Sequence, residues 1–103
     1  MAYELHWFPE AREEFDKLDG QQRLILSKGL NRIRQYGLDA GQPLVGSLIG
    51  WRKLKFKRLG LRIVFGQVDG QIQVVDIAAV GYRNREEVYN NAVQRIRQQN
   101  QKE

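Results

Sequence analysis

Separate runs of helix-like and strand-like sequence predict an α+β domain, with helices packed on one face of a mostly antiparallel, four-stranded sheet. Three observations carry the prediction. Apolar residues recur at helical spacing in the first third of the chain and at strand spacing through most of the second half. Three strand patterns follow one another with only short turns between them, which favours antiparallel neighbours. A length of 103 residues, 42% of them hydrophobic, suffices for one core and therefore one domain over residues 1–103.

Residues 3–8, Tyr-Glu-Leu-His-Trp-Phe, alternate loosely and are rich in aromatics, as a short strand would be. Pro9 suits the first turn of a helix, where its missing N–H is not needed. Ala11, Phe15 and Leu18 follow at helical spacing. Asp19-Gly20 breaks that pattern and can cap a second helix, whose apolar stripe is Leu26, Leu30 and Ile33 and whose stop is Gly37. So short a break implies a helical hairpin. Residues 38–50 hold Gly41, Pro43, Gly46 and Gly50 and read as a loop, with at most a short extended piece at Pro43-Leu44-Val45.

Residues 51–57 alternate, with Lys53, Lys55 and Lys57 on one parity and Leu54 and Phe56 on the other, which is a half-buried strand with a charged face. Arg58-Leu59-Gly60 turns the chain, residues 61–68 form a central strand, and Asp69-Gly70 signals a tight hairpin into a return strand over 71–80. Gly81 ends that strand. Asn84 with Glu87 three residues later resembles a capping box, and Val88, Ala92, Val93 and Ile96 stripe a last helix. The polar residues 98–103 are expected to fray.

Composition narrows the function. The chain has no cysteine, which removes disulfide frameworks, thiolate nucleophiles and cysteine-based zinc sites, and suits a reducing compartment. No apolar run approaches the ~18 residues of a membrane helix, and Met1-Ala2-Tyr3-Glu4 lacks the features of a signal peptide, so a cytoplasmic protein is expected. The formal net charge is +5, a modest pointer to nucleic acid or an acidic partner.

Where the charge sits is more telling. Arg52, Lys53, Lys55, Lys57, Arg58 and Arg62 crowd into eleven positions with no acid among them. A solvated strand face usually mixes signs, and like charges on neighbouring strand positions repel. A polyanion would neutralise the cluster. Arg62 stands between Leu61 and Ile63, where a charge needs either a partner, for which Asp76 on the next strand is available, or a phosphate to grip in bidentate fashion. Tyr82, Arg83, Arg85 and Tyr89 then interleave aromatic and basic residues around a helix start, the equipment of single-stranded RNA binding, although Tyr89 can equally serve the core.

His6 is the single histidine, so a two-histidine ribonuclease mechanism is impossible, and it reads as a packed or edge residue. Glu10, Glu13, Glu14 and Asp16 fall at helix spacing and read as solvated faces, with no metal expected. Without metal or imidazole, a cleavage mechanism rests on fixed cations, with a lysine among arginines held partly neutral as a base.

Two segments resemble a known family. Trp51-Arg-Lys-Leu-Lys-Phe-Lys-Arg-Leu-Gly-Leu-Arg-Ile-Val-Phe65 and Val80-Gly-Tyr-Arg-Asn-Arg-Glu-Glu-Val-Tyr89 are similar to the RelE branch of the RelE/ParE toxin superfamily. The Gly-x-Arg-x-Arg-x-Glu-Val-Tyr pattern over 81–89 is the most specific part, and the likeness takes in the helical hairpin as well. The resemblance implies a βααβββα fold and the toxin of a type II toxin–antitoxin pair. It implies an enzyme that cuts messenger RNA in the ribosomal A site, among ribosomal RNA, by attack of the RNA's own 2′-hydroxyl on the adjacent phosphate.

The resemblance also implies a catalytic set of Lys53, Lys55, Arg62, Arg83 and Tyr89, with Arg52, Lys57, Arg58 and Arg85 as further RNA contacts. It requires no cofactor and no metal, and it supplies a cognate antitoxin as partner, for which residues 88–96 are a region to cover or displace. Leu61 and Phe65 stand where tyrosine is common in the family, a change expected to affect packing. The alternatives are a ParE-like gyrase inhibitor on the same fold, which does not need the five-residue set, and a non-catalytic RNA-binding domain.

Overall fold

A computed structural model describes residues 3–67, 74–82 and 87–101. Strand β1 (Glu4–Trp7) leads into helices α1 (Pro9–Asp16) and α2 (Gly20–Tyr36). After 3-10 turns at Gly37–Ala40 and Gly46–Leu48, with the two-residue strand β2 (Gln42–Pro43) between them, come β3 (Arg52–Phe56), β4 (Leu61–Gln67), β5 (Val74–Tyr82) and α3 (Glu87–Gln101). The strands form one sheet in the order β1-β5-β4-β3-β2. β1 runs parallel to β5, and the other three pairings are antiparallel.

The expected fold class holds, with three differences. The sheet has five strands rather than four, because Gln42 and Pro43 pair with Lys53 and Arg52 at the open edge of β3. Proline is tolerated there since an edge position leaves its missing N–H unneeded. The polar stretch from 98 is helical up to Gln101. The third difference concerns the faces. Gly29 of α2 sits on Leu54 and Phe56, so closely that a Cβ there would lie 2.5 Å from the Phe56 ring. Val88 of α3 sits over Gly81, whose Cβ would lie 3.4 Å from that of Val88. Gly81 is level with Arg62, and Arg62 with Lys55, on the parity opposite to Leu54 and Phe56. The terminal helix therefore covers the reverse face of the sheet from α2.

Local chemistry explains the elements. Pro9 opens α1. Asp19 caps α2 in a reciprocal box, its carboxylate accepting from the Gln22 N–H at 2.7 Å while Gln22 Oε1 accepts from the Asp19 N–H at 3.1 Å. The Gln22 amide also donates to the Tyr82 hydroxyl at 3.0 Å, tying the start of α2 to the end of β5. The striped positions Leu26, Leu30 and Ile33, and Val88 and Ala92, are buried as their spacing requires. Leu61 and Phe65 are fully buried, in keeping with a packing role. Asp69-Gly70 and Asn84 lie outside the described residues. Among the described residues no helix is long and apolar enough to cross a membrane.

One acid departs from the expected solvated face. β1 ends at Trp7, leaving the edge of β5 bare beyond Ile77, and β5 carries a bulge there, with Val64 opposite Ala79 but Phe65 opposite Ile77. Glu14 reaches from α1 to accept the Val80 N–H at 3.1 Å. Arg95 reaches from α3 to grip Glu14 with both terminal nitrogens, at 2.7 and 3.0 Å, and to donate to the Ala78 carbonyl at 3.1 Å. The pair closes an open strand edge and fixes α3 to the sheet.

Candidate active site

The pleat of β3 and β4 sets the positions of the cations. Side chains two apart share a face, so Lys53 and Lys55 point together. Register then puts Lys55 opposite Arg62, and Lys53 opposite Val64. α3 crosses this face, and its Tyr89, half-buried, completes the arrangement. Lys53, Lys55, Arg62 and Tyr89 all line one open cleft of about 380 Å³, together with Leu44, Val45 and Leu48.

Arg62 is the most buried of the four, at 6% exposure. One terminal nitrogen donates to the carbonyl of Leu61 at 3.0 Å, and its Nε is buried with no hydrogen-bond partner. The Asp76 alternative does not form: Asp76 takes His6 Nδ1 at 2.7 Å instead, on the exposed edge strand. A desolvated guanidinium nitrogen without an acceptor is a costly arrangement in a finished structure. An anion in the cleft is the natural complement of that cation. Lys55 is exposed and Lys53 half-buried. The cleft thus brings together a guanidinium, two ammonium groups and a phenol.

Other expected residues fall elsewhere. Arg52 is opposite Phe65 and shares the parity of Leu54 and Phe56, so the pleat turns it to the opposite face from Lys53. Lys57 and Arg58 are exposed in the turn after β3 and do not line the cleft. Arg83 and Arg85 lie outside the described residues. The residues that sequence reasoning missed are Leu44, Val45 and Leu48, because an aperiodic glycine-rich loop gives no signal of which side chains turn inward. Among the described residues no three His, Cys, Asp or Glu side chains gather as metal ligands would.

The chain matches no family model. It is 34% identical over 96 residues to the mRNA interferase toxin RelE of Escherichia coli K12, covering 93% of this chain and 99% of that one. It is 30% identical over 97 residues to a putative RelE-like toxin protein of Escherichia coli, covering 94% of this chain and all of that one. Among solved structures, a mutant of the E. coli toxin RelE in its free state superposes with a TM-score of 0.77 at 33% identity, over 93% of this chain and 99% of that one. The toxin in the intact E. coli RelBE toxin–antitoxin complex gives 0.70 at 29% identity, over 82% and 100%. With 34% identity over nearly the whole chain and the same fold, the chain belongs to the RelE toxin family.

Proposed function

We propose that this protein is the toxin of a type II toxin–antitoxin pair, an endoribonuclease that cuts messenger RNA in the ribosomal A site and so stops translation. The observation that carries the reading is the gathering of Lys53, Lys55, Arg62 and Tyr89 around one cleft. The family supports it: relatives are mRNA interferases, and E. coli RelE is solved with its antitoxin RelB, so a cognate antitoxin is the expected protein partner.

The reaction is an in-line transesterification. The 2′-hydroxyl loses its proton and attacks the adjacent phosphorus, the P–O5′ bond breaks, and a 2′,3′-cyclic phosphate and a 5′-hydroxyl result. Lys53 or Lys55 takes the proton or steadies the charge left on the 2′-oxygen. Arg62, buried and with its Nε unpartnered, holds the non-bridging phosphate oxygens, whose charge grows as the phosphorus becomes five-coordinate. Tyr89 orients the nucleotide by stacking or assists proton transfer. Arg83, assigned by its motif position, protonates or stabilises the departing 5′-oxygen. Lys57, Arg58 and Arg85 remain candidates for outlying RNA contacts, whereas Arg52 is poorly sited for the cleft.

Mapping transcript 5′ ends in a ribosome-containing translation system tests the reading. New ends within A-site codons are expected, with little cutting of the same RNA free in solution. Intact transcripts beside blocked DNA supercoiling would support the gyrase-inhibitor alternative instead.

A further inference from the structure

We propose that the apolar side of this cleft, with Val45 at its lip, is a nucleobase-binding wall that sets which base is preferred beside the cut. The inference rests on the ribonuclease reading above and deepens it. The cleft has two unlike sides: Lys53, Lys55 and Arg62 on the sheet, and Leu44, Val45 and Leu48 on the loop before it. A nucleotide has the same two halves, an anionic phosphate and a flat base with an apolar face. Such a base packs on hydrophobic side chains without regard to hydrogen-bonding pattern.

The wall is built rather than incidental. Leu48 anchors it at 5% exposure, while Val45 stands 84% exposed, an aliphatic side chain presented to solvent beside a polyanion site. The Leu44 N–H donates to the Trp51 carbonyl at 3.0 Å, and the Trp51 N–H to that of Leu48 at 2.9 Å, so the loop is bonded across itself to the start of β3. Gly46, at φ +65, takes the left-handed conformation that opens the 3-10 turn directly after Val45, and α3 packs on the same turn. Held this way, the wall keeps its position relative to the cations on the neighbouring strand.

Leu44, Val45 and Leu48 carry no side-chain donor or acceptor, so the wall discriminates by contact area. A purine covers more of it than a pyrimidine. The occupant favoured is RNA rather than a protein segment, because Val45 lines the same cleft as the cations.

The test is single-turnover cleavage by the full chain on ribosomes programmed with messages that differ only in the bases of the A-site codon. The wild-type protein should favour a purine at one codon position. Val45→Ser should reduce that purine-to-pyrimidine ratio about fivefold, mainly through KM. Val45→Thr, of the same shape, should move it in the same direction and serves if the serine variant fails to fold. Leu24→Ser, at a residue 62% exposed on the opposite face, should leave the ratio as it was. A wild-type ratio and KM in both Val45 variants would overturn the proposal. So would a weaker grip on the antitoxin with base preference unchanged, which would assign the lip to protein binding. No cutting of any message by the wild-type chain would remove the ribonuclease reading itself, a separate failure.

Discussion

Two arginines on the α3 side of the sheet have opposite surroundings. Arg95 is 13% exposed at its side chain and spends both terminal nitrogens on the Glu14 carboxylate, with a further bond to the Ala78 carbonyl. Arg62, at 6% exposure, has one short-range bond to its own neighbour's carbonyl and a buried Nε with nothing to donate to. One guanidinium is neutralised by the fold. The other pairs with no carboxylate among the described residues. Burial of a cation therefore says little about its purpose until its acceptors are counted: a satisfied pair holds elements together, whereas an orphaned donor lining a cleft is where an anion would be complementary.

The contrast is open to test at both sites. Arg62→Ala should lower the single-turnover cleavage rate about 100- to 1,000-fold, the scale of losing one fixed group that stabilises transition-state charge. A rate within a few-fold of wild type would show that Arg62 does not hold the phosphate. Glu14→Ala should act on stability instead. It leaves the largely buried guanidinium of Arg95 without its counter-charge and bares the Val80 N–H, at a cost of about 3 kcal/mol in urea unfolding. The opposite sign is expected for Arg62→Met, which removes the orphan Nε while keeping the stem's packing. This variant should be about 1 kcal/mol more stable than wild type while cleaving no better than Arg62→Ala. A destabilised Arg62→Met would mean that the charge is satisfied in the folded protein, and the contrast with Arg95 would fail.

Much of this geometry was legible in the sequence, for reasons that differ by residue. Period-two alternation is a local property, so Lys53 and Lys55 could be placed on one side of a strand directly, whereas Arg62 joins them through the β3–β4 register, which alternation alone does not fix. Counting charge along the chain groups Arg52 with Lys53, whereas the same alternation turns the two to opposite faces of the sheet. Tyr89 could be set beside those cations only by its motif, since helical spacing does not say on which face of a sheet a helix will lie. Glu14 and Arg95 are 81 positions apart, and each looks like an ordinary helix charge until the bulge and the early end of β1 bring a bare strand edge between them. The apolar wall at Leu44, Val45 and Leu48 had no periodicity to reveal it. By contrast, the cap at Asp19 was readable because it needs only residues three apart, and Asp19→Ala should cost about 1 kcal/mol.

A third arginine supplies the lower bound of the comparison. Arg12 pairs with Asp16 one turn along α1 at 3.3 Å, both side chains 57% exposed, and its guanidinium also lies 5.5 Å from the centre of the Trp7 ring. Water already solvates both charges, so their attraction is screened and the entropy of holding two long side chains offsets most of it. Arg12→Ala should then cost only about 0.5 kcal/mol, with much of that coming from the tryptophan face rather than the carboxylate. Asp16→Ala separates the two contributions, since it removes the ion pair and leaves the ring contact, and its cost should be the smaller and should shrink further as salt is added. If Arg12→Ala instead matched Glu14→Ala in urea unfolding, exposure would not be what distinguishes these sites. Desolvation would then not be what makes an unpaired guanidinium costly, and the orphan Nε of Arg62 would carry no penalty for an anion to relieve.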